Sequence, residues 1–180
     1  MDPRSIDDVF TLAPTQLGML FQILANPGSA MYLEQTLGSI RGPLDDGAFH
    51  EAWQLAVDRH DSLRTGFVWE GLSRPVQVVH RRAEVEMQQL DWRRLGAAEQ
   101  AARTAGFLAA DRRRGFDLTR PPLTRLALLR LADELHTLVW TSNHLVVDAW
   151  CVSILLQEIL ARYQSRRGRP LRATATTSAG

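Results

Sequence analysis

The sequence predicts a mixed α/β domain, of the α+β type, in which a mixed sheet is covered by helices. Segments with helical periodicity alternate along the chain with short runs rich in β-branched and aromatic residues. Several of these runs follow one another directly, which gives too many adjacent strands for a doubly wound parallel sheet. The composition is that of a globular protein, with 45% hydrophobic and 23% charged residues among 180.

The first helix is predicted over the segment LAPTQLGMLFQILANPG. A proline near its start and an Asn-Pro-Gly stop at its end are signals of helix boundaries. Its apolar residues share one helical face, which we expect to be buried: Leu17, Leu20, Phe21 and Leu24. A strand over MYLEQTLGSIRG follows, because its apolar residues alternate with other types.

The second helix is predicted over PLDDGAFHEAWQLAVDRH, where acidic residues near the start suit the helix dipole. The stripe that we expect to be buried consists of Phe49, Ala52, Trp53 and Ala56. Two short strands, TGFVWE and PVQVVH, are joined by the turn GLSR, and AEVEMQQLDW is a further strand.

The second half of the chain repeats the alternation. A helix is predicted over GAAEQAARTAGFLAADRRRGF, and the strands LTRLALLRL and LHTLVWTSNH form a hairpin around the turn ADE. The last helix, AWCVSILLQEILARY, follows Asp148. We expect a lead-in over residues 1–9, a folded lobe over 10–165, and a linker or frayed tail over 166–180.

Composition and charge exclude several classes of protein. A net charge of +1 gives no field that attracts nucleic acid or a membrane surface, so neither partner is expected. The lone Cys151 excludes an internal disulfide and suits a reducing compartment. The N-terminus MDPRSIDDVF lacks the pattern of a signal peptide, and no apolar run approaches the length of a membrane span. A cytoplasmic location is expected.

The segment TSNHLVVDAWC places His144 and Asp148 between a buried strand and a buried helix. A metal site would require His144, Asp148 and Cys151 on one helical face, yet the strand-like residues before His144 disfavour that spacing, so no metal is expected. Spacing alone favours a core histidine that makes a single hydrogen bond over a catalytic one. A third possibility is a general base, because burial favours the neutral imidazole, which can accept a proton.

Four motifs, in the expected order and separation, resemble those of a known family. NHLVVDAW resembles the His-His-x-x-x-Asp-Gly signature of nonribosomal peptide synthetase condensation domains, relatives of chloramphenicol acetyltransferase. RHDSLRTGF is similar to the Arg-His-Glu-x-Leu-Arg-Thr-x-Phe motif of that family. LAPTQLGMLF is similar to its opening motif, and RGFDLTRPPLTRLALLRL to the segment that usually precedes the signature. The resemblance covers about residues 10–165.

The resemblance implies a chloramphenicol acetyltransferase-like half-domain. In the family, two similar lobes form a V around a tunnel, and carrier proteins deliver phosphopantetheine-linked donor and acceptor from opposite ends. An acceptor amine attacks the donor thioester and an amide forms, with no covalently bound cofactor. The implied partners are carrier proteins, the second lobe and neighbouring synthetase domains. Because this chain contains a single lobe, we expect it to be inactive alone and to self-associate through the uncovered face.

The resemblance also implies roles for individual residues. His144 holds the position of the catalytic second histidine, and Asp148 that of a structural aspartate that pairs with an arginine of the second motif. We expect that arginine to be Arg59, with Arg64 as the reserve. Ala149 and Trp150 complete the signature.

This chain departs from the signature at three positions. Asn143 replaces the first histidine and cannot titrate, Ala149 replaces the glycine, and Cys151 replaces the usual serine after Trp150. Reduced or altered activity is one expectation from these changes. A non-catalytic module that docks carriers or neighbouring domains, and an acyltransferase that uses an oxygen nucleophile, remain open alternatives.

Overall fold

The computed structural model describes residues 3–167 and 172–178. The helices and strands are, in chain order, β1 (Ile6–Thr11), α1 (Pro14–Ala25), β2 (Leu33–Arg41), α2 (Asp46–Arg59), β3 (Thr65–Val68), β4 (Val76–His80), β5 (Glu86–Asp91), α3 (Ala97–Arg114), β6 (Thr124–Ala132), β7 (Leu135–Asn143), α4 (Ala149–Arg167) and β8 (Arg172–Ser178). The predicted mixed α/β class is therefore confirmed. None of the helices in these ranges is both long and apolar enough to cross a membrane.

The strands form two sheets. A small antiparallel sheet has the order β1-β4-β3, and a larger one has the order β5-β6-β7-β2-β8. In the larger sheet β5 and β6 are parallel, whereas the remaining neighbours are antiparallel. The sheet is thus mixed, as the run of consecutive strands predicted, and β7 lies at its centre.

The larger sheet has a different helical layer on each face. On one face, α2 and α4 enclose the main core, in which the rings of Trp53 and Trp140 lie 4.9 Å apart edge to face. On the other face, α3 covers a smaller cluster that includes Leu129 and Val139. Because side chains alternate along a strand, neighbouring residues of β7 serve these two layers in turn.

The two helices predicted in the first half of the chain bury different amounts of their apolar faces. The predicted stripe of α2 is buried, and a hydrogen bond from the backbone N–H of Ala48 to Asp45 caps the start of the helix. On α1 only Leu20 is buried, so the prediction of a fully buried stripe is wrong. Exposed fractions on this helix reach 73% for Phe21, 46% for Leu17 and 42% for Leu24.

Two strands lie outside the predicted elements. Residues 1–9 were expected to be a lead-in, but Ile6–Thr11 pairs with β4. Residues 166–180 were expected to be a linker or frayed tail, which is wrong for Arg172–Ser178, because this segment pairs antiparallel with β2. The segment is rich in threonine, whose β-branched side chain favours strands, and β2 offers it a free edge.

Candidate active site

The predicted site lies where β7 ends and α4 begins. The backbone N–H of Asn143 donates to the carbonyl of Leu123 (3.0 Å), and that of His144 donates to the carbonyl of Tyr32 (2.7 Å). Because these carbonyls belong to the segments that enter β6 and β2, the backbone of both residues is held by neighbouring strands. The backbone at the start of the junction is therefore anchored to the sheet.

Asn143 is a buried turn residue. It is 4% exposed, and its Oδ1 atom accepts a hydrogen bond from the backbone N–H of Leu145 (3.0 Å). Its carbonyl accepts from the N–H of Val146 (3.1 Å), which tightens the same turn. This Asx-type turn reverses the chain after β7. The position that holds a histidine in the family signature thus has a structural role in this chain.

His144 has two ring nitrogens in different surroundings. Its Nδ1 atom lies 3.2 Å from Oε1 of Glu34, and the two side chains are 28% and 27% exposed. Nδ1 is buried and lacks a partner in hydrogen-bond geometry, while Nε2 is not among the buried unpaired atoms of the described chain. Since Nδ1 is buried in a side chain that is 28% exposed, we infer that Nε2 is the ring nitrogen open to solvent.

Asp148 caps the start of α4. Its Oδ1 atom accepts a hydrogen bond from the backbone N–H of Cys151 (2.8 Å), three residues later, which is the geometry of a helix N-cap. Hydrogen bonds from Cys151 hold the pKa of Asp148 below its ordinary value. Burial, with the Asp148 carboxylate nearby, raises the pKa of the Cys151 thiol. The aspartate thus stabilises the local turn, and it disfavours the reactive thiolate at Cys151.

The predicted ion pair between Asp148 and an arginine of the second motif is wrong. Arg59 is 63% exposed and lies 3.4 Å from Glu158, in the middle of α4.

The reserve candidate, Arg64, is buried and has other partners. It contacts Asp61 (2.5 Å) and Asp7 (3.6 Å) and donates to the carbonyl of His80. The reason is positional, because Asp148 turns toward the N–H groups of α4 while Arg64 turns toward the smaller sheet.

Ala149 and Trp150 form the first turn of α4. Among the described residues other than glycine, positive φ occurs only at Ala30 and Tyr32, so the backbone at Ala149 does not require a glycine. Trp150 is 82% exposed, and Ile154, one turn later, is 61% exposed. The helix therefore presents large apolar side chains to solvent beside the candidate site.

A buried ionic cluster that the sequence did not predict supports the site from the opposite face. Asp111 of α3 accepts hydrogen bonds from Gln35 (2.9 Å), Thr141 (2.6 Å) and Arg125. Gln35 and Arg125 are both the cross-strand partners of Thr141, so one carboxylate joins β2, β7 and β6 in a single row. Burial acts to raise the pKa of Asp111, but these three hydrogen bonds outweigh it and hold the pKa below its ordinary value.

Glu34 and Asp111 carried no recognisable sequence signal. Glu34 follows the strand pattern as an ordinary polar residue, and Asp111 lies in the strongly charged segment AADRRRGF, typical of a solvated helix face. Only the register of β2 against β7 reveals their contacts. A polar pair, Glu34-Gln35, inside an otherwise regular strand was the one available hint.

The arrangement does not have the helical spacing that a metal site would need. His144 precedes α4, so it cannot lie on the same helical face as Asp148 and Cys151. Over residues 3–167 and 172–178, no three histidine, cysteine or carboxylate side chains form a group that could hold a metal ion. The chemistry available at the junction is that of a single imidazole next to a carboxylate.

Comparison with known sequences gives the family directly. The chain matches the profile of the Condensation domain over residues 6–178. It is 45% identical over 160 residues to one subunit of linear gramicidin synthase from Brevibacillus parabrevis, a match that covers 89% of this chain and 3% of that protein. It is 36% identical over 162 residues to surfactin synthase subunit 3 of Bacillus subtilis (strain 168), which covers 90% of this chain and 13% of that protein.

Solved structures show the same fold. The starter condensation domain of rhizomide synthetase superposes with a TM-score of 0.80 at 22% identity, which covers 91% of this chain and 41% of that one. The first condensation domain of the calcium-dependent antibiotic synthetase, in complex with a substrate analogue, also gives 0.80 at 21% identity, with coverage of 91% and 41%. The chain thus spans less than half of a solved condensation domain and a small share of each synthetase. It belongs to the condensation-domain family.

Proposed function

We propose that this chain is the N-terminal lobe of a condensation domain whose complete form makes an amide bond. The substrates are an acyl or peptidyl thioester and an aminoacyl thioester, each attached to a carrier protein. The observation that supports this function is the placement of His144. It follows β7 directly at the signature position of a chain matched over residues 6–178, and its imidazole is 28% exposed.

Amide formation requires the transfer of one proton from the attacking amine to the leaving thiol. The acceptor amine attacks the thioester carbonyl carbon, a carbon–nitrogen bond forms, and the carbon–sulfur bond breaks. Nε2 of His144 accepts or orients the amine proton, which finally resides on the departing pantetheine thiol. A neutral imidazole suits this role, since its free lone pair faces the substrate. Asp148 and Asn143 act indirectly, because their hydrogen bonds shape the turn that aims His144.

The partners we propose follow from the exposed surface. Apolar side chains on α1 and α4 stand exposed, among them Phe21 at 73% and Trp150 at 82%. Monomeric proteins seldom leave several large apolar groups in water, so we infer that the second lobe of the domain covers them. Phosphopantetheine arms of carrier proteins bring both substrates to the junction. The single cysteine fits the cytoplasm as the location.

The decisive experiment uses the complete condensation domain that contains this lobe. Carriers loaded with donor and acceptor are mixed with wild-type or His144→Ala domain, and product is followed by mass spectrometry. General bases contribute about 10²–10⁴-fold, so a loss of that size is expected. His60→Ala is the matched control, because its imidazole contacts Glu158 (2.7 Å) and not the junction. Turnover by His144→Ala equal to that of the control contradicts the proposal.

The lobe alone is expected to fold without catalysing condensation. It spans 41% of a solved domain, so the opposite wall of the tunnel is missing and neither substrate is held for attack. Positioning contributes about 7–11 kcal/mol to such reactions, so its loss suppresses the rate to background. Product from the lobe above a control without enzyme means that one lobe, or a dimer of it, builds a working site.

A further inference from the structure

Glu34 and His144 are brought together by strand register. Glu34 of β2 lies directly opposite Ser142 of β7, two residues before His144. The backbone of His144 is tied to Tyr32, two residues before Glu34, by a hydrogen bond of 2.7 Å. The two side chains are therefore attached to backbone segments that are fixed to each other at both ends.

The contact between them joins two groups that have no other partner. Nδ1 of His144 and Oε2 of Glu34 are both buried, and neither has a hydrogen bond in the described part of the chain. Oε1 of Glu34 lies 3.2 Å from Nδ1, close enough for a hydrogen bond but not aligned for one. The last torsion of a glutamate is broad, so a small rotation aligns the carboxylate with the ring. Buried polar groups are rarely left unpaired, which favours this alignment.

No other carboxylate of the described chain lies within ion-pair distance of this imidazole. Asp148 is the nearest carboxylate in sequence, but its Oδ1 atom accepts the N–H of Cys151. The charge of His144 is the smallest of the causes that lower the pKa of Asp148. Asp111 belongs to the opposite face of the sheet, where it binds Arg125. Glu34 is thus the group in position to set the proton on the ring.

We propose that Glu34 is a positioning residue that holds the neutral imidazole of His144 in the Nδ1–H form. When one ring nitrogen donates to a carboxylate, the other is left with the lone pair. The lone pair then resides on Nε2, the reachable nitrogen, where a substrate proton is accepted. The catalytic meaning of this tautomer rests on the proposed function, whereas the tautomer itself does not.

The tautomer is measurable in the lobe as it stands. Nitrogen-15 labelled histidine gives separate two-dimensional NMR patterns for Nδ1–H and Nε2–H rings at a pH where they are neutral. The chain has five histidines, and His144→Gln identifies the pattern of His144 by its loss. In the wild type we expect the Nδ1–H form. Glu34→Leu should shift His144 toward the Nε2–H form that predominates in free histidine.

Two variants separate this role from a merely structural one. Glu34→Gln keeps an oxygen that accepts from Nδ1, so it should retain the wild-type pattern. Glu70→Leu removes a carboxylate from the turn after β3, far from this contact in sequence, and should leave His144 unchanged. An Nε2–H ring in the wild type, or the same tautomer ratio in Glu34→Leu and wild type, overturns the proposal.

Activity of the complete domain supplies an independent readout. Loss of the outer partner of a metal-binding histidine typically costs about 10–100-fold, and we expect a loss of similar size here. Glu34→Leu should lower kcat by that factor with KM unchanged, and Glu34→Gln should restore most of it. If His144→Ala itself leaves turnover intact, the proposed function fails while the NMR result still decides the role of Glu34. A normal kcat for Glu34→Leu, in a domain that needs His144, overturns the positioning role.

Discussion

The two faces of the large sheet differ sharply at the end of β7. On the face toward α3, Asp111 is 8% exposed in its side chain and satisfied by three strands, and Arg125 beside it also donates to the carbonyl of Gly115 (2.6 Å). On the opposite face, Glu34 and His144 are in contact, but each keeps a buried polar atom without a hydrogen bond. The same strands therefore carry a complete polar network on one side and an incomplete one on the other.

This difference separates structural from functional polarity. A fully satisfied buried network fixes strand positions and has no capacity left for a substrate. Buried polar atoms without a hydrogen bond are uncommon, and functional sites are one of the places where they occur. The α3 face thus holds the strands in place, whereas the opposite face carries the imidazole for which we propose a catalytic role.

Asp111→Ala should cause the largest loss of stability. It leaves Arg125 buried without its counter-ion, which costs about 3–5 kcal/mol in the free energy of unfolding. Glu34→Leu, on the other face, should cost at most about 1 kcal/mol, the worth of one ordinary hydrogen bond. Urea unfolding of the lobe measures both. The comparison is wrong if Glu34→Leu costs as much as Asp111→Ala.

A surface control calibrates that experiment. Asp133 is 83% exposed and pairs with Arg93 (2.7 Å). Exposed ion pairs contribute little, so Asp133→Ala should change the free energy of unfolding by about 1 kcal/mol or less.

The lowered pKa of Asp111 makes its contribution to the free energy of unfolding depend on pH in acid. Its pKa is lower in the folded state than in the unfolded chain, so the stability it contributes is present above the unfolded value of about 3.9. That stability is lost as the pH falls through the folded value, because the unfolded chain then binds the proton more readily. Asp111→Asn cannot titrate there.

The measurement is the difference in unfolding free energy between wild type and Asp111→Asn across the acid range. We expect the difference to be constant near neutral pH and to narrow below about pH 4. Other carboxylates titrate equally in both proteins and cancel. A difference that widens in acid would show that the carboxylate is held in its protonated form.

Most of the fold was predictable because its signals are local. The α2 stripe around Trp53 and the hairpin of β6 and β7 follow from periodicity and turn residues in single segments. The strand β1 is not predictable because it lies at the edge of the small sheet and most of its side chains are exposed. Its two aspartates therefore interrupt the alternation of apolar residues that indicates a strand. The strand β8 was missed because its pairing with β2 is a long-range contact.

The contacts of the candidate site could not be predicted from the sequence. Motif spacing indicated His144 and Asp148, since residue types at fixed separation are visible in a sequence. The partner of a charge is not visible, because it depends on which strands lie side by side. For this reason the sequence motif predicts Arg59 as the partner of Asp148, whereas the structure gives it the N–H of Cys151. The contacts of Glu34 and Asp111 have no signal in the sequence.

Asp148 should contribute less to stability, because its hydrogen bond with Cys151 lies at the exposed start of α4. Asp148→Ala removes the cap of α4 and should cost about 0.5–2 kcal/mol of stability, whereas Asp148→Asn keeps a capping oxygen and should cost less. Arg59 contacts Glu158 and shares no partner with Asp148. The losses of Asp148→Ala and Arg59→Ala should therefore add within about 0.5 kcal/mol, as chemical unfolding of the double variant will show. A coupling energy between Asp148 and Arg59 above about 1 kcal/mol would support the ion pair that the family motif predicts.

The smallest expected effect concerns Asn143, which lies on the α3 face with its polar contact satisfied. Neutral histidine can accept the N–H of Leu145 through Nδ1, as the Asn143 oxygen does now. A cavity of about 100 Å³ borders Asn143 and can receive part of the larger ring. Asn143→His, measured above the pH where imidazole titrates, should therefore lower the free energy of unfolding by less than about 1 kcal/mol, the smallest cost of leaving that N–H unpaired.

Asn143→Leu is the matched comparison for that substitution, since it has a similar volume and no acceptor. It leaves the N–H of Leu145 buried and unpaired, which costs about 1–3 kcal/mol. In the complete domain, Asn143→His should be neutral or activating, because it restores the family signature without disturbing the turn. A stability loss for Asn143→His as large as that of Asn143→Leu would mean that the asparagine amide makes a contribution to the turn that an imidazole cannot supply.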